Sequence, residues 1–211
     1  MYPKNFPVSN EDELIINNAF IASRKLFSCS ANEKEIVKIT RDYHRGWEEF
    51  KNESESFLYG PESYKLVNKW PNSYGSKYIK DLTNLFELLF EIGYEEIEKL
   101  PFLKNKNFEI DNPRIKISKY FKQNEKKIVC GEHVDYGMIT LIISNENSQL
   151  ELFINGKWEV FDNSKNMKYF ILSGNQLEEL SLGKIRAQKH RVITKSHKVR
   201  ISFSLFLDLR I

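Results

Sequence analysis

The sequence predicts an α+β chain in which helices come first and an antiparallel β-sandwich or barrel follows. Three observations predict it. Before about residue 112, apolar residues recur at three- and four-residue steps. After Pro113, eight short runs are rich in β-branched and aromatic residues. Turn residues separate those runs. The chain is therefore expected as a helical N-terminal region, 1–112, and a β-rich core, 113–211, in one structural unit.

Taken in order, Ser9 is a capping candidate for a first helix over residues 11–26, which carries Leu14, Ile15, Ala19, Ile21 and Leu26. The polar, aromatic stretch 44–74 reads as loops and short turns. A clearer helix spans 76–97, where Ile79, Leu82, Phe86, Leu89 and Phe90 form a stripe that Tyr94 extends. The β-rich runs are 114–121, 127–130, 138–144, 150–154, 158–161, 169–172, 187–193 and 199–207. Asn155-Gly156 predicts a tight hairpin. Asp162-Asn163-Ser164 and Ser173-Gly174-Asn175 mark further turns.

Composition excludes several classes. With 15 Phe, 10 Tyr and 3 Trp in 211 residues, the chain has enough apolar area for a packed core and is not disordered. Nine Gly and six Pro exclude collagen-like sequence. No uncharged apolar run approaches the ~18 residues of a membrane span. The net charge of +3 comes from scattered Lys, so no nucleic-acid footprint is expected. Only Cys29 and Cys130 are present, which precludes a disulfide framework. With no signal-peptide core in Met-Tyr-Pro-Lys-Asn-Phe, a cytoplasmic setting is expected.

Chemistry gathers around two of the four histidines. In Gly131-Glu132-His133-Val134-Asp135, residues two apart share one strand face, so His133 and Asp135 can converge. His190 follows Asp135 after 54 intervening residues. Two His and one carboxylate form the facial set that holds Fe(II) with open positions. The His-X-Asp triplet alone is weak, since many surface hairpins hold one. Ten residues beyond His190, Arg200, Ser202, Ser204 and Phe206 share one strand face. An Arg on an inward face is costly unless an anion meets it, and a dicarboxylate would do so through the guanidinium fork. The plain alternative is an outward polar face on an edge strand. His44 and His197 read as solvated loop residues, and Cys130 as a buried small hydrophobe.

These stretches resemble the isopenicillin-N-synthase-like group of non-haem Fe(II)/2-oxoglutarate-dependent oxygenases. The resemblance is carried by Gly131–Leu141, Gly156–Val160, Gly174–Leu182, His190-Arg191-Val192 and Arg200–Leu207. Glu33-Lys34 and Asn68–Asn72 add weaker matches. The resemblance implies a double-stranded β-helix, or jelly-roll, core with N-terminal helices packed on it. It implies Fe(II) held by His133, Asp135 and His190, with 2-oxoglutarate as cosubstrate and O2 as oxidant. Arg200 and Ser202 would bind the far carboxylate of 2-oxoglutarate. Tyr120 falls where the family has a Tyr on that carboxylate, and its alternative is an ordinary strand aromatic. Phe206 and Lys119 would face substrate.

The implied function is a dioxygenase that oxidises, most simply by hydroxylation, a small organic substrate with release of succinate and CO2. The alternatives are a 2-oxoglutarate-independent Fe(II) oxidase of the same fold and a non-catalytic jelly-roll binding protein. Partners are expected to be a small-molecule substrate, with no nucleic acid and no membrane, on a monomer or homodimer. Two departures from the family stand out. Phe121 replaces the usual Pro after Tyr120. The chain also starts close to its first helix and stops just after its last strand, so an uncovered sheet edge and a wide active-site mouth are expected. That edge favours a homodimer.

Overall fold

The computed structural model describes residues 2–50, 53–62, 67–104, 106–146, 149–161, 166–194 and 199–210. Chain order is β1 (Lys4–Pro7), α1 (Asn10–Phe27), α2 (Ala31–Ile36), β2 (Gly46–Phe50), β3 (Ser54–Tyr59) and α3 (Ser76–Glu98). There follow β4 (Glu109–Tyr120), β5 (Lys127–His133), β6 (Ile139–Ser144), β7 (Leu150–Ile154), β8 (Lys157–Val160) and β9 (Lys168–Ser173). The last elements are α4 (Asn175–Leu180), β10 (His190–Thr194) and β11 (Arg200–Arg210). His197 and the expected turn at 162–164 lie outside the described residues.

Two antiparallel sheets face one another. The larger has the order β1-β9-β6-β11-β4-β3-β2, and the smaller β5-β10-β7-β8. Strands β4 to β11 are the eight runs expected from the sequence, and they are shared between the two sheets as in a jelly-roll. The Asn155-Gly156 hairpin joins β7 to β8, with φ of 50° and 81°. Such positive φ at both turn residues is what a tight twisted hairpin needs and what Asn and Gly tolerate.

Helices α1 and α3 cover the outer face of the large sheet. Ile201, Phe203, Leu205 and Leu207 of β11 are buried there with Ile115 and Ile117 of β4 and Leu82, Leu85 and Leu89 of α3. Each such side chain contributes about 1.5–3 kcal/mol of burial. The intervening residues of β11 look the other way, between the sheets. Strand alternation thus splits one sheet into a greasy face for the helices and a polar face for a cavity. Ser9 Oγ does accept from Asp12 N, at 3.1 Å. Of the expected α1 stripe Ala19 and Leu26 are buried, but Leu14 and Ile21 are exposed, and Ile16, Phe20 and Ala22 are buried in their place. Small Ala19 and Ala22 let the helix approach its neighbours.

Two expectations need correction. The stretch 44–74 contains β2 and β3, which extend the large sheet beyond β4. Its polar composition masked them, because one face of these strands carries Ser54, Ser56 and Glu48 toward polar surroundings. The other is the bare edge: β1 pairs with β9 over Lys4–Pro7 and covers it. Only four residues make that strand, too few for a periodic signal.

Candidate metal centre and ligand cavity

His133 closes β5 and His190 opens β10, and the two residues are direct partners in that ladder. Their rings lie 4.2 Å apart between centroids. Asp135 follows in the loop, with Oδ1 3.6 Å from His133 Nε2 and Oδ2 3.8 Å from His190 Nε2. One ligand atom from each residue lies within 4.8 Å of the others, a spacing that fits one metal ion.

The tautomers agree with that reading. His133 Nδ1 is 2.9 Å from Gly131 O, and His190 Nδ1 is 3.0 Å from Gln188 O. A carbonyl only accepts, so each Nδ1 must carry the proton. Each Nε2 is then the ring atom that faces Asp135 and would be the one to bind a metal. Burial holds His190 below its ordinary value, which favours the neutral ring. His133 is pushed up to about 9, first by the adjacent Cys130 sulfur and then by the Gly131 carbonyl and Asp135, against its partial burial.

Asp135 is fixed from two sides. Buried Thr140 donates from Oγ1 to Oδ2 of its carboxylate. The start of α4 pins its backbone: Asn175 N donates to Asp135 O at 2.8 Å and Gln176 N to Tyr136 O at 3.0 Å. Gly174 makes this possible, since a Cβ there would sit 2.2 Å from Gly137 O.

Arg200 opens β11 and is 2% exposed. Its Nη1 donates to Ser202 Oγ at 3.0 Å and its Nε to Glu146 O at 3.3 Å. The guanidinium lies 5.2 Å from the Tyr120 ring, its partner across the β11–β4 ladder. Among the described residues no carboxylate lies within ion-pair distance, and burial holds the guanidinium below its ordinary value. Burial likewise raises Tyr120, against the pull of Arg200. A buried cation without an acid is expensive, and a bound anion removes the cost.

One cavity of ≈ 350 Å³ joins these groups. His133, Asp135, His190, Arg200, Ser202, Tyr120 and Phe206 all line it, as expected from the sequence. Lys119 does not. It lies on the opposite face of β4, with Nζ 2.8 Å from Glu55 Oε1. Its parity is opposite to that of Tyr120, and parity fixes the face. Lys116, four residues before Tyr120, lines the cavity instead. Cys130 is half-buried: it lines the cavity and packs against Tyr120, Val129 and Val192, with Sγ 3.9 Å from His133 Nδ1. His44 is exposed, as expected. Thr140 and the β3 serines Ser54 and Ser56 line the cavity without having been anticipated. For Thr140 a signal existed, since it sits at the start of the apolar run that follows Asp135.

The profile of the 2OG-Fe(II) oxygenase superfamily matches residues 113–209. 1-Aminocyclopropane-1-carboxylate oxidase 1 of Arabidopsis thaliana is 37% identical over 96 residues, 44% of this chain and 31% of that protein. 2-Oxoglutarate-dependent dioxygenase 11 of Oryza sativa subsp. japonica is 30% identical over 156 residues, 69% of this chain and 43% of that protein. The matched regions thus span well under two thirds of these curated relatives. Among solved structures, a full-length Neurospora crassa protein in complex with alpha-KG superposes with a TM-score of 0.81 at 20% identity, over 97% of this chain and 72% of that one. A 2OG-Fe(II) oxygenase family protein from Caulobacter crescentus gives 0.81 at 20% identity, over 98% and 77%. At that identity the likeness shows the fold.

Proposed function

We propose, from the match of residues 113–209 to the 2OG-Fe(II) oxygenase superfamily, that this chain is an Fe(II)- and 2-oxoglutarate-dependent dioxygenase. It hydroxylates a small organic substrate and releases succinate and CO2. One oxygen atom of O2 enters succinate and the other the product. The observation that carries this reading is the pairing, in one cavity, of a three-ligand metal set with a buried Arg that has no carboxylate within ion-pair distance among the described residues.

His133, Asp135 and His190 would hold Fe(II), and the bound ion supplies the redox chemistry that couples 2-oxoglutarate decarboxylation to substrate oxidation. The chain's own residues do the rest. Both imidazoles keep Nδ1–H on backbone carbonyls and offer Nε2. Thr140 holds the Asp135 carboxylate in place. Arg200 and Ser202 receive the far carboxylate of 2-oxoglutarate in a charge-assisted contact, and Tyr120 supports it from the next strand. Val129, Ile142, Leu150 and Val192 make the surrounding walls apolar and limit water. No described helix is long and apolar enough to cross a membrane.

The 37% match to a protein named an oxidase favours a second reading. In it Arg200 and Ser202 serve the substrate and 2-oxoglutarate is not consumed. Succinate formation from 2-oxoglutarate by the Fe(II)-loaded protein, followed against O2 uptake, separates the two. Succinate in step with O2 supports the dioxygenase; O2 uptake without succinate supports the oxidase; neither would sink both.

A further inference from the structure

Away from the metal set and Arg200, the cavity has a second polar wall. Lys116 of β4, Ser54 and Ser56 of β3, Ser204 of β11 and Phe50 of β2 line it. Glu48 of β2 stands beside them. Its Oε1 accepts from Lys116 Nζ at 3.0 Å and from Ser56 Oγ at 3.0 Å. The Lys116 and Glu48 side chains are each 32% exposed; Lys116 lines the cavity, and Glu48, outside its lining, is bonded to two residues that do line it.

The pair has capacity to spare. An ammonium offers three donors, and Lys116 uses one. Among the described residues, no donor reaches Glu48 Oε2. Ser204 stands opposite Lys116 in the β11–β4 register and lines the same space. Lys116 is also well apart from the Arg200 anchor. It lies four positions from Tyr120 along β4, roughly 13 Å at the rise of a strand.

An ion pair beside a cavity has no net charge to offer. A lone anion is drawn to Lys116 and repelled by Glu48 at a similar distance, and a lone cation meets the reverse. A ligand carrying both charges gains from both partners. The volume also limits the ligand. A cavity of ≈ 350 Å³ is at the small end of ligand sites and must also take the cosubstrate. Phe50, whose ring centroid is 5.1 Å from Lys116 Nζ, adds an apolar surface beside the charges.

We propose that Lys116 and Glu48 anchor the primary substrate, and that this substrate is a small zwitterion of the amino-acid type. Its carboxylate meets Lys116 and its ammonium meets Glu48 Oε2. The proposal rests on the dioxygenase reading above.

The test uses the full chain loaded with Zn(II), which blocks turnover, and saturated with 2-oxoglutarate. Ligand-observed NMR titrations compare L-alanine and L-leucine with 4-methylpentanoate, isoamylamine and 4-methylpentan-1-ol. At least one zwitterion is expected to bind tenfold or more tightly than the single-charge and neutral analogues. Lys116→Met and Glu48→Gln should each weaken it at least tenfold and leave 2-oxoglutarate affinity within twofold. If Lys116→Met fails to fold, the isosteric Glu48→Gln carries the comparison. Tightest binding by the neutral alcohol, no binding by either zwitterion, or zwitterion affinity untouched in Glu48→Gln would overturn the proposal. Failure of 2-oxoglutarate itself to bind the loaded wild type is a separate result, and it overturns the dioxygenase reading as well.

Discussion

His133 and His190 are direct partners across the β5–β10 ladder, with ring centroids 4.2 Å apart and both Nε2 atoms within 4 Å of the Asp135 carboxylate. A sheet register, rather than a local motif, therefore brings the distant His to the His-X-Asp triplet. His190→Ala should abolish stoichiometric Fe(II) or Co(II) binding while leaving the far-ultraviolet circular dichroism spectrum unchanged. Metal analysis after gel filtration checks this. Full occupancy in the variant would show that His190 is not a ligand.

Arg200 is expected to anchor 2-oxoglutarate. A charge-assisted hydrogen bond is worth about 1.5–3 kcal/mol, so Arg200→Ala should weaken 2-oxoglutarate binding by roughly one to two orders of magnitude. Arg200→Lys should restore little, because an ammonium lacks the planar fork. Calorimetric titration of the Zn(II)-loaded proteins measures it. Stability gives an independent readout: 2-oxoglutarate should raise the Tm of wild type and not of Arg200→Ala.

Thr140 is expected to position Asp135 through its hydroxyl. Thr140→Val keeps the shape and removes the donor, and should cost about 10–100-fold in metal affinity. Thr140→Ser should recover most of it. Competition with a chromophoric chelator reads both. Equal affinities for Val and Ser variants would mean that the hydroxyl is idle.

Gly174 lets the start of α4 approach the Asp135 loop. A methyl group there would collide with Gly137 O at 2.2 Å and crowd Asp135 O at 2.9 Å. Gly174→Ala should therefore displace the loop, lower metal affinity more than tenfold and cost roughly 1–3 kcal/mol of stability. Unchanged metal affinity in this variant would show that the loop is held elsewhere.

Glu55 and Lys119 are expected to serve stability rather than substrate. The Glu55 carboxylate is buried and meets Lys119 at 2.8 Å, Lys34 at 2.8 Å and Trp47 Nε1 at 3.0 Å. Burial alone would raise its pKa, but these three donors together hold it below the ordinary value. Glu55→Gln should cost about 3 kcal/mol, as when one partner of a buried pair is removed. A carboxyl depressed in the folded state stabilises fully above its unfolded value of ~4.3 and loses that stabilisation as pH falls through the folded value. The Tm gap between wild type and Glu55→Gln should thus be constant from neutral pH to about 5.5 and shrink in stronger acid. Lys119→Met should lower Tm and leave 2-oxoglutarate affinity unchanged. A large loss of that affinity would return Lys119 to the cavity.

By itself, the sequence determined what depends on local period. Alternation placed Arg200, Ser202 and Phe206 on one face of β11, and the His-X-Asp spacing kept His133 and Asp135 within reach of each other, although Asp135 lies in the loop past β5. Asn155 and Gly156 specified the hairpin, and Ser9 the start of α1. Such features follow from the geometry of a single strand or turn, so neighbours in the chain suffice to reveal them. The tertiary structure decided what depends on partners far away. It turned the polar segment 44–74 into β2 and β3, whose ladder hydrogen bonds lead to β4 and are invisible locally. It covered the sheet edge with the four residues of β1. It set Thr140 on Asp135, and it chose which face of β4 meets the cavity, after which parity admits Lys116 with Tyr120 and excludes Lys119. The reason is that face and register are chosen by apolar burial summed over several strands and helices at once, and no single stretch of sequence contains that sum.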